Sequence, residues 1–119
     1  MFGVRRFLFT SLAALMLAAL AVAAGYAQDK VESLPVTLDG AVTDIISRLS
    51  EQDKKTLREM PKKDLIKFHF GWGRGIRNNY GLWGGRNEAL LKSACGGRPC
   101  HPDDASMVIM EGVWETLNK

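Results

Sequence analysis

The sequence predicts an all-α fold, a small bundle of four or five helices with one intrachain disulfide. Three observations lead to this prediction. Apolar residues between positions 37 and 119 recur every three or four residues, which is the period of one helix face, and no segment alternates like a strand. Capping residues and prolines stand where these patterns begin. The two cysteines, Cys95 and Cys100, lie close together in the chain.

The first 27 residues have the composition of a secretory signal peptide. Arg5 and Arg6 precede a nearly unbroken apolar run at 7–24, and the triplet GYA at 25–27 supplies small residues for cleavage after Ala27. The alternative is an uncleaved anchor, because about 18 apolar residues can just span a bilayer. We therefore expect an exported protein, periplasmic or secreted, which meets the membrane only through an uncleaved signal segment.

Cleavage would leave 92 residues (119 minus 27), enough for a single helical domain at 37–119 behind a short mobile lead at 28–36. Without Arg5 and Arg6, 14 Lys and Arg oppose 13 Asp and Glu, a net charge of +1. The basic balance of the whole chain therefore belongs partly to the signal. It gives no reason to expect nucleic acid as a partner.

Two helices are predicted before residue 61. The first has a single apolar face formed by Leu38, Val42, Ile45, Ile46 and Leu49. Thr37 or Asp39 can cap its start. Ser50 can cap the second helix, which should end near Met60 because a proline follows.

A third helix of about 20 residues is predicted from Pro61 to a left-handed stop at Gly81. Its apolar face consists of Leu65, Phe68, Trp72, Ile76 and Tyr80. Three glycines interrupt it, and each costs roughly 0.8–1 kcal/mol relative to alanine inside a helix. Either a neighbouring helix packs closely on the bare backbone, or a ligand lies beside His69 and Arg77. The glycine run is not a phosphate loop, because no strand precedes it and no Lys-Ser or Lys-Thr follows.

Two further helices follow the glycine-rich link at 84–86. Asn87 can cap a short helix that reaches about Ala94. Pro102 suits the first turn of the last helix, where Asp103 and Asp104 complement the helix dipole. The apolar surface of this last helix contains Met107, Val108, Ile109, Met110, Val113, Trp114 and Leu117.

Three motifs make the chain similar to a known family. FHFGWG at 68–73, IRNNYGLW at 76–83 and HPDDAS at 101–106, followed by Trp114, resemble an uncharacterised family of small bacterial domains of unknown function. The resemblance covers residues 50–117. It implies no activity, although it implies that the polar motif residues matter to the domain. The chain departs from the family pattern at Pro61, where a serine-type cap is expected, and near Gly112, where alanine is expected.

A pair of cysteines in an exported chain should form a disulfide, so we expect Cys95 and Cys100 to be bonded. A zinc site made of both cysteines with His69 and His101 is the alternative. It is disfavoured because adjacent Cys100 and His101 would be strained as ligands of one ion. The spacing is not that of a thioredoxin-type or haem-attachment motif, and we expect no metal and no cofactor.

The candidate binding residues form one polar cluster at 69–79 and 101–104. A histidine and an arginine on an otherwise apolar helix need partners, and the carboxylates at the start of the last helix can supply them. The cluster in this prediction contains His69, Arg77, Asn78, Asn79, His101, Asp103 and Asp104. No complete catalytic set is present, so we name no catalytic residue.

Two functions fit these features. The first is an exported helical domain that binds another protein or an envelope component, for example an inhibitor or immunity-type protein of the envelope. It follows from the small exported domain and its aromatic-rich polar segment. The alternative is a small hydrolytic enzyme of the cell envelope that uses the histidine and aspartate cluster as acid and base.

Overall fold

The computed structural model describes residues 34–119. The predicted signal peptide and most of the predicted lead lie outside the described residues. The described part contains five α-helices: α1 at Leu38–Arg48, α2 at Glu51–Glu59, α3 at Arg74–Asn79, α4 at Glu88–Ala94 and α5 at Pro102–Leu117. No strand occurs in residues 34–119. The predicted all-α fold is therefore confirmed.

Helices α1, α2 and α4 begin at caps that the sequence predicts. The side chain of Thr37 accepts from the Gly40 N–H, and Ser50 accepts from the Asp53 N–H. Asn87 caps α4 through its side-chain oxygen, while its Nδ2 donates to the carbonyl of Pro35 at 3.0 Å. This last hydrogen bond fixes the chain just before α1, because it joins two segments that are distant in sequence.

The prediction of one straight helix over residues 61–80 is wrong. The chain follows a 3₁₀-helix at Lys62–Phe68, one π-helical segment at His69–Gly73 and then α3. The wide turn coincides with Gly73, where an added Cβ would lie 3.1 Å from Arg77 Nη1 and 3.3 Å from the Met110 methyl. Glycine lacks the side chain that restrains the backbone, so this segment can adapt to its neighbours. The predicted left-handed stop at Gly81 is present, with φ of 69°.

The last helix, α5, forms the centre of the bundle. It packs against α1, α2, α3, α4 and both irregular helical segments. Its residues Ala105, Ile109, Met110 and Val113 have no exposed surface. Burial of such side chains contributes about 1.5–3 kcal/mol each for the larger ones, so α5 supplies the main hydrophobic stabilisation of the domain.

Helices α1 and α5 approach closely at Gly112. A Cβ at this position would lie 2.9 Å from a methyl group of Val42. The glycine that departs from the family pattern therefore lies in a contact that leaves no room for the expected alanine.

The disulfide between Cys95 and Cys100 is present, with the two Cα atoms 6.3 Å apart. It connects the end of α4 to the residue before His101, which precedes α5. Gly96 and Gly97, with φ of 67° and 85°, allow the short loop between the cysteines to turn. Among residues 34–119, none of the helices is sufficiently long and apolar to cross a membrane.

Candidate functional site

Arg77 lies at the centre of the polar cluster and is only 4% exposed. Its Nη1 donates to Ser106 Oγ at 2.9 Å, and its Nη2 donates to the carbonyl oxygen of His69 at 2.9 Å. Ser106 itself is fully buried and donates to the carbonyl oxygen of Asp103. The guanidinium therefore joins the π-helical segment to the first turns of α5.

The carboxylate of Asp103 neutralises this buried charge. Its Oδ1 lies 3.4 Å from Arg77 Nε. The distance satisfies an ion pair, yet Nε has no partner with hydrogen-bond geometry among the described residues. We regard the contact as electrostatic attraction with an incomplete hydrogen bond. Because the side chain of Asp103 is 43% exposed, the pair reaches from the core to the surface.

His69 lies between the same two groups. Its Nδ1 is 3.5 Å from Arg77 Nη1, and its Nε2 is 3.8 Å from Asp103 Oδ2. Arginine can only donate, so Nδ1 must be the acceptor, and in the neutral ring the proton lies on Nε2. That N–H faces the carboxylate at more than hydrogen-bond distance. The imidazole is thus oriented by the arginine and remains partly open, with 21% of its side chain exposed.

The π-helical segment sets the position of this histidine. Arg77 curls back over eight residues to reach the His69 carbonyl, and it passes over Gly73 on the way. A side chain at Gly73 would collide with the guanidinium. Gly71 and Gly75 differ, because a Cβ at either position would meet nothing within 4 Å. Close packing therefore explains one of the three glycines.

His101 reaches the cluster from the N-terminus of α5. Its Nδ1 accepts a hydrogen bond from the Asp103 N–H at 3.0 Å and so acts as the cap of the helix. The same nitrogen lies 3.6 Å from Asp103 Oδ2. Since Nδ1 is an acceptor here, we assign the 3.0 Å contact as the interaction and do not count the longer one as an ion pair.

Aromatic rings extend the cluster on both sides. Phe70 is in edge contact with His69, at 4.9 Å between ring centroids, and Trp83 is in edge contact with His101, at 5.5 Å. Phe70 is 75% exposed and Trp83 is 40% exposed. We call the resulting continuous line of five side chains the aromatic row: Phe70, His69, Asp103, His101 and Trp83.

The structure brings together four of the seven residues in the predicted cluster: His69, Arg77, His101 and Asp103. Asn78, Asn79 and Asp104 are exposed, and their side chains make no hydrogen bond or ion pair within residues 34–119. The prediction left open which aspartate would approach Arg77, and it is Asp103. Ser106 was not predicted, although a serine three residues after Asp103 lies on the same helix face and was visible in the sequence.

The contacts of the cluster differ from those of a nucleophilic triad. In such a triad the histidine contacts the nucleophile on one side and the orienting acid on the other. Here the two sides of His69 face Arg77 and Asp103, while the hydroxyl of Ser106 is buried and bonded to Arg77. The disulfide also removes both thiols. Within the described part of the chain, no three His, Cys, Asp or Glu side chains are grouped to hold a metal.

A second polar contact joins α1 to the end of α3. The hydroxyl of Tyr80 donates to Asp44 Oδ2 at 2.5 Å, and Arg48 Nε donates to the same oxygen at 3.1 Å. Partial burial opposes ionisation of Asp44, but the two hydrogen bonds outweigh it and hold its pKa below the ordinary value. Burial, followed by the hydrogen bond to Asp44, raises the pKa of Tyr80.

Two shallow apolar cavities lie on either side of Trp72, with volumes of about 210 and 180 Å³. Leu49 and Trp72 line both of them, and Gly75 lines the smaller one. No residue of the aromatic row lines either cavity.

A family model described as "Domain of unknown function (DUF6794)" matches residues 34–117. No curated protein and no solved structure matches the chain. The match spans well over half of the chain and includes every residue of the cluster.

Proposed function

We propose that this chain, which belongs to the DUF6794 family of domains of unknown function, is an exported binding domain that acts without catalysis. Its binding face is the aromatic row. One concrete form is an inhibitor or immunity-type protein that binds another protein of the cell envelope.

The exposed rings of Phe70 and Trp83 carry this proposal. A soluble domain of this size has enough polar residues to cover its surface, and these two large rings stay open at the ends of one polar cluster. Aromatic and arginine side chains are enriched among the residues that dominate binding energy in protein interfaces. The row combines such rings with a carboxylate and two imidazoles, which give a partner directional hydrogen-bond contacts.

The pre-organised centre of the row supports the same proposal. Arg77 and Ser106 hold Asp103 and His69 from behind, so these groups lose little freedom when a partner binds. Side chains that are already ordered lower the entropic cost of association. The hydrolytic alternative has the pair of His69 and Asp103 in its favour, but it lacks an exposed nucleophile in contact with the imidazole.

Export is part of the proposal. The signal-like composition of the first 27 residues supports it, as does the disulfide between Cys95 and Cys100, since disulfides persist mainly in oxidising compartments. N-terminal sequencing of protein from the envelope fraction tests it: the first residue should be Gln28. An intact Met1 would instead indicate an anchored protein.

Affinity recovery from envelope extract tests the binding role. Tagged wild-type domain is compared with the Phe70→Ser, Trp83→Ser double variant and with Val36→Ser, which changes a 55% exposed apolar residue outside the row. We expect a partner recovered in stoichiometric amount with wild type and Val36→Ser, and lost with the double variant. Equal recovery with all three would contradict the proposal. Turnover that disappears in a folded His69→Ala variant would favour the enzyme.

A further inference from the structure

We infer that the aromatic row recognises an acidic protein segment, one that presents carboxylates around apolar side chains. This inference rests on the proposed function and names the chemistry of the partner. It comes from the distribution of charge along the chain and from the residues at the two ends of the row.

The charge of the domain is strongly segregated. Residues 61–100 contain eight Lys and Arg against two Asp and Glu, a net charge of +6. The mature chain as a whole carries +1, so the remaining residues of 28–119 carry −5. Phe70, His69 and Trp83 all lie in the basic part. A surface of one sign increases the rate at which partners of the opposite sign associate.

An exposed arginine accompanies each exposed ring. Arg74 follows Phe70 by four residues, one turn further along the helical path. Arg86 closes a tight turn with Trp83, because its N–H bonds to the Trp83 carbonyl at 3.4 Å while the two glycines between them have positive φ. Neither arginine takes part in an ion pair among residues 34–119, so both are available to carboxylates of a partner.

The acid inside the row does not cancel this charge. Asp103 is neutralised by Arg77, whose Nε lies 3.4 Å from its carboxylate. Asp104 is exposed at the same end of α5 and offsets one of the two arginines. The row therefore offers apolar rings next to a net positive charge. An acidic segment with apolar residues matches both features, whereas a basic segment would place its charges against Arg74 and Arg86.

Selection from a random peptide display library tests the inference. The library is selected on four immobilised proteins: wild type, Arg74→Gln with Arg86→Gln, Phe70→Ser with Trp83→Ser, and the control Lys55→Gln, which changes an exposed and unpaired cation in α2. We expect peptides rich in Asp, Glu and apolar residues on wild type and on Lys55→Gln. The acidic enrichment should disappear on the double arginine variant. Each arginine change should also weaken a selected peptide about two- to fivefold, as for an exposed ion pair.

The outcomes separate the two proposals. Peptides without acidic enrichment on wild type, or peptides rich in Lys and Arg, would overturn the inference while the binding face stands. Peptides that bind equally well to the Phe70→Ser, Trp83→Ser variant would overturn the proposed binding face itself. Circular dichroism of each variant confirms that these surface changes leave the helical content unchanged.

Discussion

The buried guanidinium of Arg77 lies 3.4 Å from the half-exposed carboxylate of Asp103. This contact links the irregular helical segment to the start of α5 across 26 residues of sequence. It also places a charged group of the core directly beneath the aromatic row. The geometry of the proposed binding face therefore depends on a structural ion pair, and stability and binding should respond together when that pair is changed.

Asp103→Asn should lower the free energy of unfolding by about 2 kcal/mol, because it leaves the Arg77 cation buried without its counter-charge. Asp104→Asn is the matched control, since Asp104 is exposed and should change stability by less than about 0.5 kcal/mol. Urea denaturation of both variants measures the difference. A cycle with Arg77→Met should show coupling between Arg77 and Asp103. Strictly additive effects would show that the contact contributes nothing.

The three glycines of the irregular segment should respond differently to alanine. Gly71→Ala and Gly75→Ala should each raise the free energy of unfolding by about 0.5–1 kcal/mol, because the new methyl group meets no atom and the backbone loses freedom in the unfolded chain. Gly73→Ala should lower it by about 1–3 kcal/mol, since its Cβ would displace Arg77 and Met110. Thermal melts of the three variants rank them. Equal effects at all three positions would contradict the close contact at Gly73.

Helix starts were predictable from sequence because capping is local. Thr37, Ser50 and Asn87 each satisfy a backbone N–H within three residues, so the capping residue and its neighbours decide the outcome. The 3₁₀ and π turns were not predictable in this way. They depend on how Gly73 fits against Met110, a residue of another helix.

The cluster was predictable as a set of residue types, while its members depend on helix rotation. Successive residues of α5 point about 100° apart, so Asp103 faces Arg77 and Asp104 faces solvent, although the sequence offers either. Ser106 and Arg77 are buried together because α5 is the centre of the bundle. No local pattern shows that position, because the aromatic residues at 68–83 draw attention to a different segment.

Tyr80→Phe should lower stability by about 1 kcal/mol at neutral pH through loss of the hydrogen bond to Asp44. The pKa of Asp44 is lowered in the folded protein, so its contribution is complete above the ordinary carboxyl pKa of about 4 and is lost as the pH falls through the lowered value. The difference between wild type and variant should therefore shrink in acid. Denaturation at a series of pH values measures it, and a difference that grows in acid would contradict the assignment.

The same hydrogen bond has a consequence at high pH. The pKa of Tyr80 is raised in the folded protein, so the stability it contributes is complete below the ordinary value of about 10 and is lost as the pH rises through the raised value. Tyr80→Phe removes this alkaline loss. The alkaline limb of the same pH series serves as an internal control for the acid limb.

Replacement of Cys95 and Cys100 by serine should lower the free energy of unfolding by about 2 kcal/mol, because the closed loop restricts the unfolded chain. Denaturation of the double variant beside oxidised wild type measures the loss. Reduced wild type should match the variant. If oxidised and reduced wild type unfold at the same denaturant concentration, the bond does not stabilise the domain.

Site-specific photo-cross-linking in the native envelope tests the proposed binding face most directly. A photoreactive residue replaces Phe70, Trp83 or, as the control, the exposed Lys55 of α2. We expect one discrete adduct of the same mass from positions 70 and 83 and none from position 55. Absence of an adduct at both ring positions, or an equal pattern at all three, would contradict the claim that the aromatic row binds a protein partner.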